Sequence, residues 1–91
     1  MNAGQYLDDW QDTNFNAIGE AIMFTLRDRD DDFTEEDFFE RARNWDIPPE
    51  LMERLCRRMF ASFERTGYIE PTGETKVSER GGVRLPVWRR T

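Results

Sequence analysis

The sequence predicts one α+β domain, mainly α, in which three helices are followed by a C-terminal two-stranded β-hairpin. Apolar residues recur at helical spacing in three segments, alternating residues follow near the C-terminus, and turn residues separate these segments. With 91 residues the chain can bury one core and is too short for two. We place an N-terminal arm or short helix at residues 1–13 and the single domain at residues 14–91.

The clearest signal is a long amphipathic helix within residues 48–67. Its apolar residues share the spacing that lines one helix face, and they are Met52, Leu55, Cys56, Met59, Phe60 and Phe63. The opposite face carries Arg54, Arg57, Arg58 and Arg65. Thr66 and Gly67 supply a C-terminal cap. We expect this helix to pack on the core with one face and to meet a partner with the other.

A first helix is expected from about Asn14 to Arg27, with Thr13 or Asn14 as its N-cap. Its inward stripe comprises Phe15, Ile18, Ala21, Ile22 and Leu26. Phe24 lies off this stripe and is expected to contact the N-terminal arm or another chain. Gly19 indicates the close approach of a neighbouring element.

The second helix is predicted to begin at Thr34, where the sequence has clear capping signals. Thr34 at the N-cap and Asp37 at N3 form a capping box, and Phe33 with Phe38 supplies a hydrophobic staple. The residues expected to point inward are Phe38, Phe39, Ala42 and Trp45. The helix is expected to end near residue 44, and two prolines at residues 48–49 then lead directly into the third helix.

The C-terminal segment predicts a hairpin with a long, partly basic tip. Residues 68–70 are expected to form a short strand ended by Pro71, and residues 72–82 to form a loop. The returning strand is expected at residues 83–89, with its side chains alternating between two faces. Because Pro86 lacks an N–H group, it confines this strand to a sheet edge or a bulge.

The charge of the chain is unevenly distributed. Residues 1–40 hold twelve acidic and two basic residues, whereas residues 41–91 hold seven acidic and eleven basic residues, so the net charge of −6 conceals a basic C-terminal part. A local basic surface is what counterion release from nucleic acid requires. The acidic total argues only weakly against a nucleic-acid partner.

Composition and motifs argue against an enzyme and against a bound cofactor or metal. The chain has no histidine, no nucleophile beside a base, no glycine-rich phosphate loop and no Cys/His cluster. The single cysteine, Cys56, lies on the apolar stripe and is expected to be buried without a disulfide. We expect a soluble cytoplasmic protein because no long apolar run, signal peptide or lipidation motif is present.

An acidic segment after the first helix resembles the opening of an EF-hand loop. Asp28, Asp30 and Asp32 match its first three ligand positions. The match then fails, because Phe33 stands where the loop needs glycine and Phe39 where it needs glutamate. A solvated acidic loop is therefore expected.

The order helix, helix, tight turn, long helix and basic-tipped hairpin resembles the winged helix-turn-helix domains of small phage and prophage proteins. The resemblance covers roughly residues 14–90 and is most specific at residues 66–70, 78–82 and 87–89. It implies a regulator of transcription or an accessory factor, of phage or mobile-element type, that binds double-stranded DNA with its third helix and its hairpin, the wing. The residues it places towards DNA are Arg54, Arg57, Arg58 and Ser62 on the helix and Lys76, Arg80 and Arg84 on the wing.

Acidic residues in the first turns of the third helix depart from this pattern. Glu50 and Glu53 repel phosphate, so we expect weak DNA binding, or binding by a symmetric homodimer that doubles the basic surface. The alternative is a protein-binding winged helix, a phage-type inhibitor whose acidic surface competes for the basic site of a host nucleic-acid-binding or defence protein. The residues of that surface are Asp28, Asp30, Asp31, Asp32, Glu35 and Glu36.

Overall fold

The structure, a computed structural model, describes the backbone of residues 3–29, 31–79 and 81–91 and the side chains of these ranges from residue 15 onwards. Its elements are α1 (Ala3–Arg27), α2 (Glu35–Ala42), α3 (Pro49–Arg65), β1 (Ile69–Val77) and β2 (Arg84–Arg90). The two strands pair as an antiparallel hairpin. Three helices followed by this hairpin give the α+β, mainly α layout of a winged helix, which confirms the predicted fold class.

The core lies where the three helices meet the base of the hairpin. Its centre is Phe60 of α3, whose ring lies 5.9 Å from that of Phe33, 6.2 Å from Phe38 and 5.6 Å from Trp88, measured between centroids. The apolar stripe predicted for α3 packs against this core, with Met52 half-buried and the other members buried. Aromatic side chains from a loop, two helices and a strand thus converge on one ring.

Gly19 is the point at which α1 crosses α3. A Cβ atom at this position would lie 2.8 Å from Cγ of Met59 and 3.1 Å from Cδ1 of Leu55. These distances are shorter than van der Waals contact, so the missing side chain is what permits the crossing. The predicted close approach at Gly19 is confirmed.

The N-terminus of α2 has the predicted capping box. The Thr34 side chain accepts a hydrogen bond from the Glu36 amide at 3.2 Å, and Asp37 Oδ2 accepts one from the Thr34 amide at 2.9 Å. Two donors at the helix end are thereby satisfied within the chain. Phe33 and Phe38, which flank this box, are both buried.

The C-terminus of α3 also ends as the sequence predicts. Gly67 has a φ of 83°, a conformation that glycine adopts without steric cost. The Tyr68 amide donates to the Phe63 carbonyl at 2.9 Å and the Gly67 amide to the Glu64 carbonyl at 3.1 Å. This is the Schellman arrangement, and it directs the chain from the helix into β1.

The sheet extends beyond the hairpin by one pair of residues. Phe33 forms an antiparallel bridge with Trp88, in which the two N–H···O=C distances are 2.9 and 2.8 Å. The order across the sheet is therefore Phe33, β2, β1. Within the hairpin, the register shifts between Pro71 and Thr75, and Pro86 lies opposite Thr75 at this bulge. The predicted position of Pro86 at an edge or bulge is confirmed.

The helix predicted from Asn14 begins instead at Ala3, so Thr13 and Asn14 lie within α1 rather than at its start. Residues 5–18 contain neither proline nor glycine, so nothing in the sequence stops the helix there. The segment predicted as an arm or short helix is thus continuous with α1 from Ala3 on, and its side chains lie outside the described ones. No helix in the described part of the chain is long and apolar enough to cross a membrane.

One facing prediction for α1 is wrong. Met23 is fully buried, whereas Ala21, expected in the inward stripe, is exposed. The Phe24 ring packs edge-on at 5.0 Å from Phe63 and 5.7 Å from Tyr68, and the arm side chains that it is predicted to contact lie outside the described ones. The inward face of α1 is therefore rotated towards α3 and the start of β1 relative to the predicted stripe.

Two further predictions are wrong: the burial of Trp45 and the length of β1. Trp45 is 45% exposed because α2 ends at Ala42 and the chain turns before the indole can face the core. The strand predicted at residues 68–70 continues to residue 77, so the expected loop at residues 72–82 shortens to residues 78–83. Pro71 does not end β1. The backbone N–H and C=O groups of Trp88 both bond to Phe33, on the side away from β1. Trp88 and Pro71 therefore form a pair without hydrogen bonds, and the Pro71 nitrogen, which carries no hydrogen, faces away from β2.

Candidate nucleic-acid interface

The exposed side of α3 carries a row of basic residues, which we call the basic stripe. It consists of Arg54, Arg58, Ala61 and Arg65, at positions i, i+4, i+7 and i+11, and all four are exposed. The small Ala61 leaves the space between the arginine side chains open. The stripe thus places three exposed arginines in one row along the helix axis.

Beside the basic stripe runs a row of mixed charge. Its members are Glu50, Glu53, Arg57 and Glu64, all exposed. Arg57 Nη2 lies 2.6 Å from Glu53 Oε1, so this predicted DNA contact is already paired with a carboxylate one helical turn away. A phosphate would have to compete with that carboxylate for the Arg57 guanidinium.

The two remaining predicted residues of the helix lie towards α1. Arg58 Nη1 donates a hydrogen bond to Asn16 Oδ1 of α1 at 3.0 Å, which orients its guanidinium along the edge between the helices. Ser62 is half-buried. Arg65 was not among the residues predicted to contact DNA, although its spacing of seven residues from Arg58 places it on the same row and could have identified it.

The wing residues do not form one surface. Lys76 pairs with Leu85 across the hairpin and Arg84 with Val77, so their side chains project from opposite faces. Both are exposed, and Arg84 Nη1 donates to the Thr75 hydroxyl at 3.1 Å. Arg80 lies outside the described residues. A flat partner could therefore meet either Lys76 or Arg84 directly, but not both.

The tip of the hairpin is held to the first turn of α2. The Glu36 carboxylate accepts hydrogen bonds from the Ser78 hydroxyl and from the Glu79 amide, the latter at 3.1 Å. Glu36, one of the residues predicted for the partner-binding surface, holds the tip of the wing in the structure. No local signal could have revealed this role, because the two partners are separated by 42 residues in the chain.

We expect Glu36→Ala to release the hairpin tip from α2 and to lower the free energy of unfolding by about 1 kcal/mol, since a charge-assisted hydrogen bond is lost at a half-buried site. The Glu79 amide should then exchange its hydrogen faster, as measured by NMR. Glu40→Ala, one turn later on α2, is the matched control and should leave that exchange unchanged. Equal exchange rates in both variants would show that Glu36 does not hold the tip.

The predicted acidic surface is only partly assembled. Asp28, Asp31 and Asp32 are exposed, and Asp31 lies 3.7 Å from an Arg29 nitrogen. Glu35 is half-buried, and Asp30 lies outside the described residues. The acidic surface therefore reduces to a short aspartate segment after α1. Within the described ranges, no group of three or more His, Cys, Asp or Glu residues is placed to hold a metal ion.

Comparison of the chain with protein-family models, with curated proteins and with solved structures gives no match. The functional inference therefore depends on the fold layout and on the geometry of the exposed side chains.

Proposed function

We propose that the protein binds double-stranded DNA through the basic stripe of α3, as a regulator or accessory factor of the kind that the sequence predicts. The observation that carries this proposal is the alignment of Arg54, Arg58 and Arg65 on one exposed row of the third helix. In a helix-turn-helix layout, this helix is the one that can enter the major groove.

The dimensions of the stripe suit the groove. Arg65 follows Arg54 by eleven positions, so their Cα atoms lie about 16 Å apart along the helix axis, which is about five base pairs at about 3.4 Å per pair. Over this length, two of the three guanidinium groups can reach phosphates at the groove edge and the third can reach a guanine edge. Glu50 at the N-terminal end repels phosphate, so the central and C-terminal turns make the contact.

The surrounding charges set the strength of this interaction. The net charge of −6 and the mixed row beside the stripe oppose binding, so the affinity of one copy is modest and depends steeply on salt. A two-fold dimer would present two stripes to successive major grooves and compensate for that weakness.

We expect binding of a labelled mixed-sequence duplex at low salt, measured by fluorescence anisotropy. Replacing Arg54, Arg58 and Arg65 together with alanine should weaken binding at least tenfold, and the slope of log K against log salt should fall in magnitude by about 2, one counterion for each of the two lost phosphate contacts. Arg57→Ala alone should weaken binding less than this triple replacement, because it removes one positive charge and not three.

The matched control replaces the exposed Arg41, Arg43 and Arg90, which changes the net charge equally and leaves the stripe intact. If this control loses as much affinity as the stripe variant, total charge and not the stripe determines binding. Absence of binding at low salt would contradict the DNA proposal. It would favour the second candidate, a basic protein partner that meets Asp28, Asp31 and Asp32.

A further inference from the structure

A groove between α2 and α3 has an apolar floor, and its rim carries two carboxylates and one guanidinium, which leaves a net negative charge. It encloses about 530 Å³ and is lined by Glu35, Phe39 and Arg43 from α2 and by Pro49, Met52 and Glu53 from α3. Phe39 and Met52 are half-buried apolar residues packed on the core, so their outer surfaces form the floor. We call this the α2–α3 groove. Its lining suits an apolar side chain that is accompanied by a cation.

The two rim carboxylates act on the same buried thiol. The Cys56 thiol lies beneath this part of α3, and its pKa is raised, first by burial and then by the charges of Glu35 and Glu53. Both carboxylates therefore lie within electrostatic range of one point, although they come from different helices. The charge of Arg57 acts on the same thiol in the opposite direction and lowers its pKa, and Arg57 pairs with Glu53. That pair is exposed, so an incoming cation can share the Glu53 carboxylate at little cost.

The tip of the hairpin has the complementary surface. Val77 is 50% exposed and Val83 is 61% exposed, which makes them the most exposed of the large apolar side chains that the structure describes. Lys76 precedes Val77 and Arg84 follows Val83, and both are exposed. We call these four residues the hairpin knob. It presents apolar surface flanked by positive charge, as the groove requires.

The knob and the groove are neighbours on one side of the molecule. The tip is anchored to Glu36, and a cavity lined by Glu36, Glu40, Arg43 and Glu79 separates it from the groove. Arg43 lines both this cavity and the groove. Since the tip is fixed beside α2, it cannot fill its own groove. In a pair of copies related by a two-fold axis, the knob of each copy can fill the groove of the other.

We propose that the α2–α3 groove receives the hairpin knob of a second copy of this chain, in a closed two-fold dimer. The contact between knob and groove occurs twice in this dimer. In each contact, Val77 and Val83 of one copy lie over Phe39 and Met52 of the other. Lys76 and Arg84 then lie against the carboxylates of Glu35 and Glu53. The basic stripe lies on another side of α3 from Met52 and Pro49, so it stays exposed in this dimer, and the proposal does not depend on DNA binding.

Sedimentation equilibrium of the full chain at low salt, from low to high micromolar concentration, tests the dimer. Glu35→Lys and Lys76→Glu should each raise the dissociation constant at least roughly tenfold, because each creates two like-charge contacts across the two-fold axis. An equimolar mixture of the two variants should form a heterodimer at least as stable as the wild-type dimer, since both contacts in it are again attractive.

Two controls match these charge changes on distant exposed residues. Glu64→Lys and Arg90→Glu should leave the dissociation constant unchanged. Val83→Asp tests the apolar part of the knob without a folding penalty, because Val83 is exposed in the tip, and it should also weaken the dimer. The proposal is overturned by a monomer at every concentration, by a dimer insensitive to both reversals, or by variants that stay monomeric when mixed.

Discussion

Replacing Phe60 with alanine is expected to lower the free energy of unfolding by about 3–5 kcal/mol. The ring is 3% exposed and meets Phe33, Phe38 and Trp88, so its removal leaves a cavity bounded by three aromatic side chains. Those side chains belong to the α1–α2 connection, to α2 and to β2, and they cannot all move inward together. Because small domains have a stability of about 5–15 kcal/mol, this loss would leave the fold marginal.

Urea denaturation followed by circular dichroism measures the effect. Phe24→Ala is the matched control, since it removes the same ring from a site that is 40% exposed, and it should cost about 1 kcal/mol. Phe60→Leu should cost about half as much stability as Phe60→Ala, because the leucine side chain fills part of the cavity. Equal losses for Phe60→Ala and Phe24→Ala would show that Phe60 is not the centre of the core.

The second large effect is a loss of stability at alkaline pH that depends on Cys56. Burial is the main cause that raises the pKa of this thiol above its usual range, and the nearby charges of Glu35 and Glu53 raise it further. The folded chain therefore keeps the thiol proton at a pH where the unfolded chain releases it. Above the unfolded pKa of about 8.5, the free energy of unfolding should fall by about 1.4 kcal/mol per pH unit from this group alone.

Comparison with Cys56→Ala isolates this contribution, because the two proteins differ only at this residue. Urea denaturation at a series of pH values should give nearly parallel curves below about pH 8. Above it, the stability of the wild type should fall towards that of the variant and then below it. Curves that stay parallel over the whole alkaline range would show that the thiol titrates in the folded protein.

Features specified by neighbouring residues were predicted well. The apolar spacing of α3, the Thr34–Asp37 capping box and the Gly67 cap each depend on residues a few positions apart, and the structure confirms all three. The limits of the hairpin were not predictable in this way. Whether Pro71 ends a strand depends on which side of it the neighbouring strand lies, and that is decided by the distant pair Phe33 and Trp88.

In the candidate site, too, features that depend on neighbouring residues were predictable and features that depend on distant residues were not. Helical periodicity placed Arg54 and Arg58 on the exposed face, and the same periodicity extends to Arg65. It did not indicate that Lys76 and Arg84 would project from opposite faces of the wing, because that depends on the register of the hairpin. Nor did it show that Glu36 would be used to hold the tip, which depends on the docking of the hairpin against α2.

The position of Pro71 also limits how these molecules can aggregate. The outer edge of β1 has no strand beside it among the described residues, and such an edge ordinarily offers a row of N–H and C=O groups to another chain. Here the donor is missing at Pro71, and the bulge that follows breaks the repeat as far as Thr75. An intruding strand would find few consecutive partners along this edge, so we expect the outer edge of β1 to be a poor template for pairing with another chain.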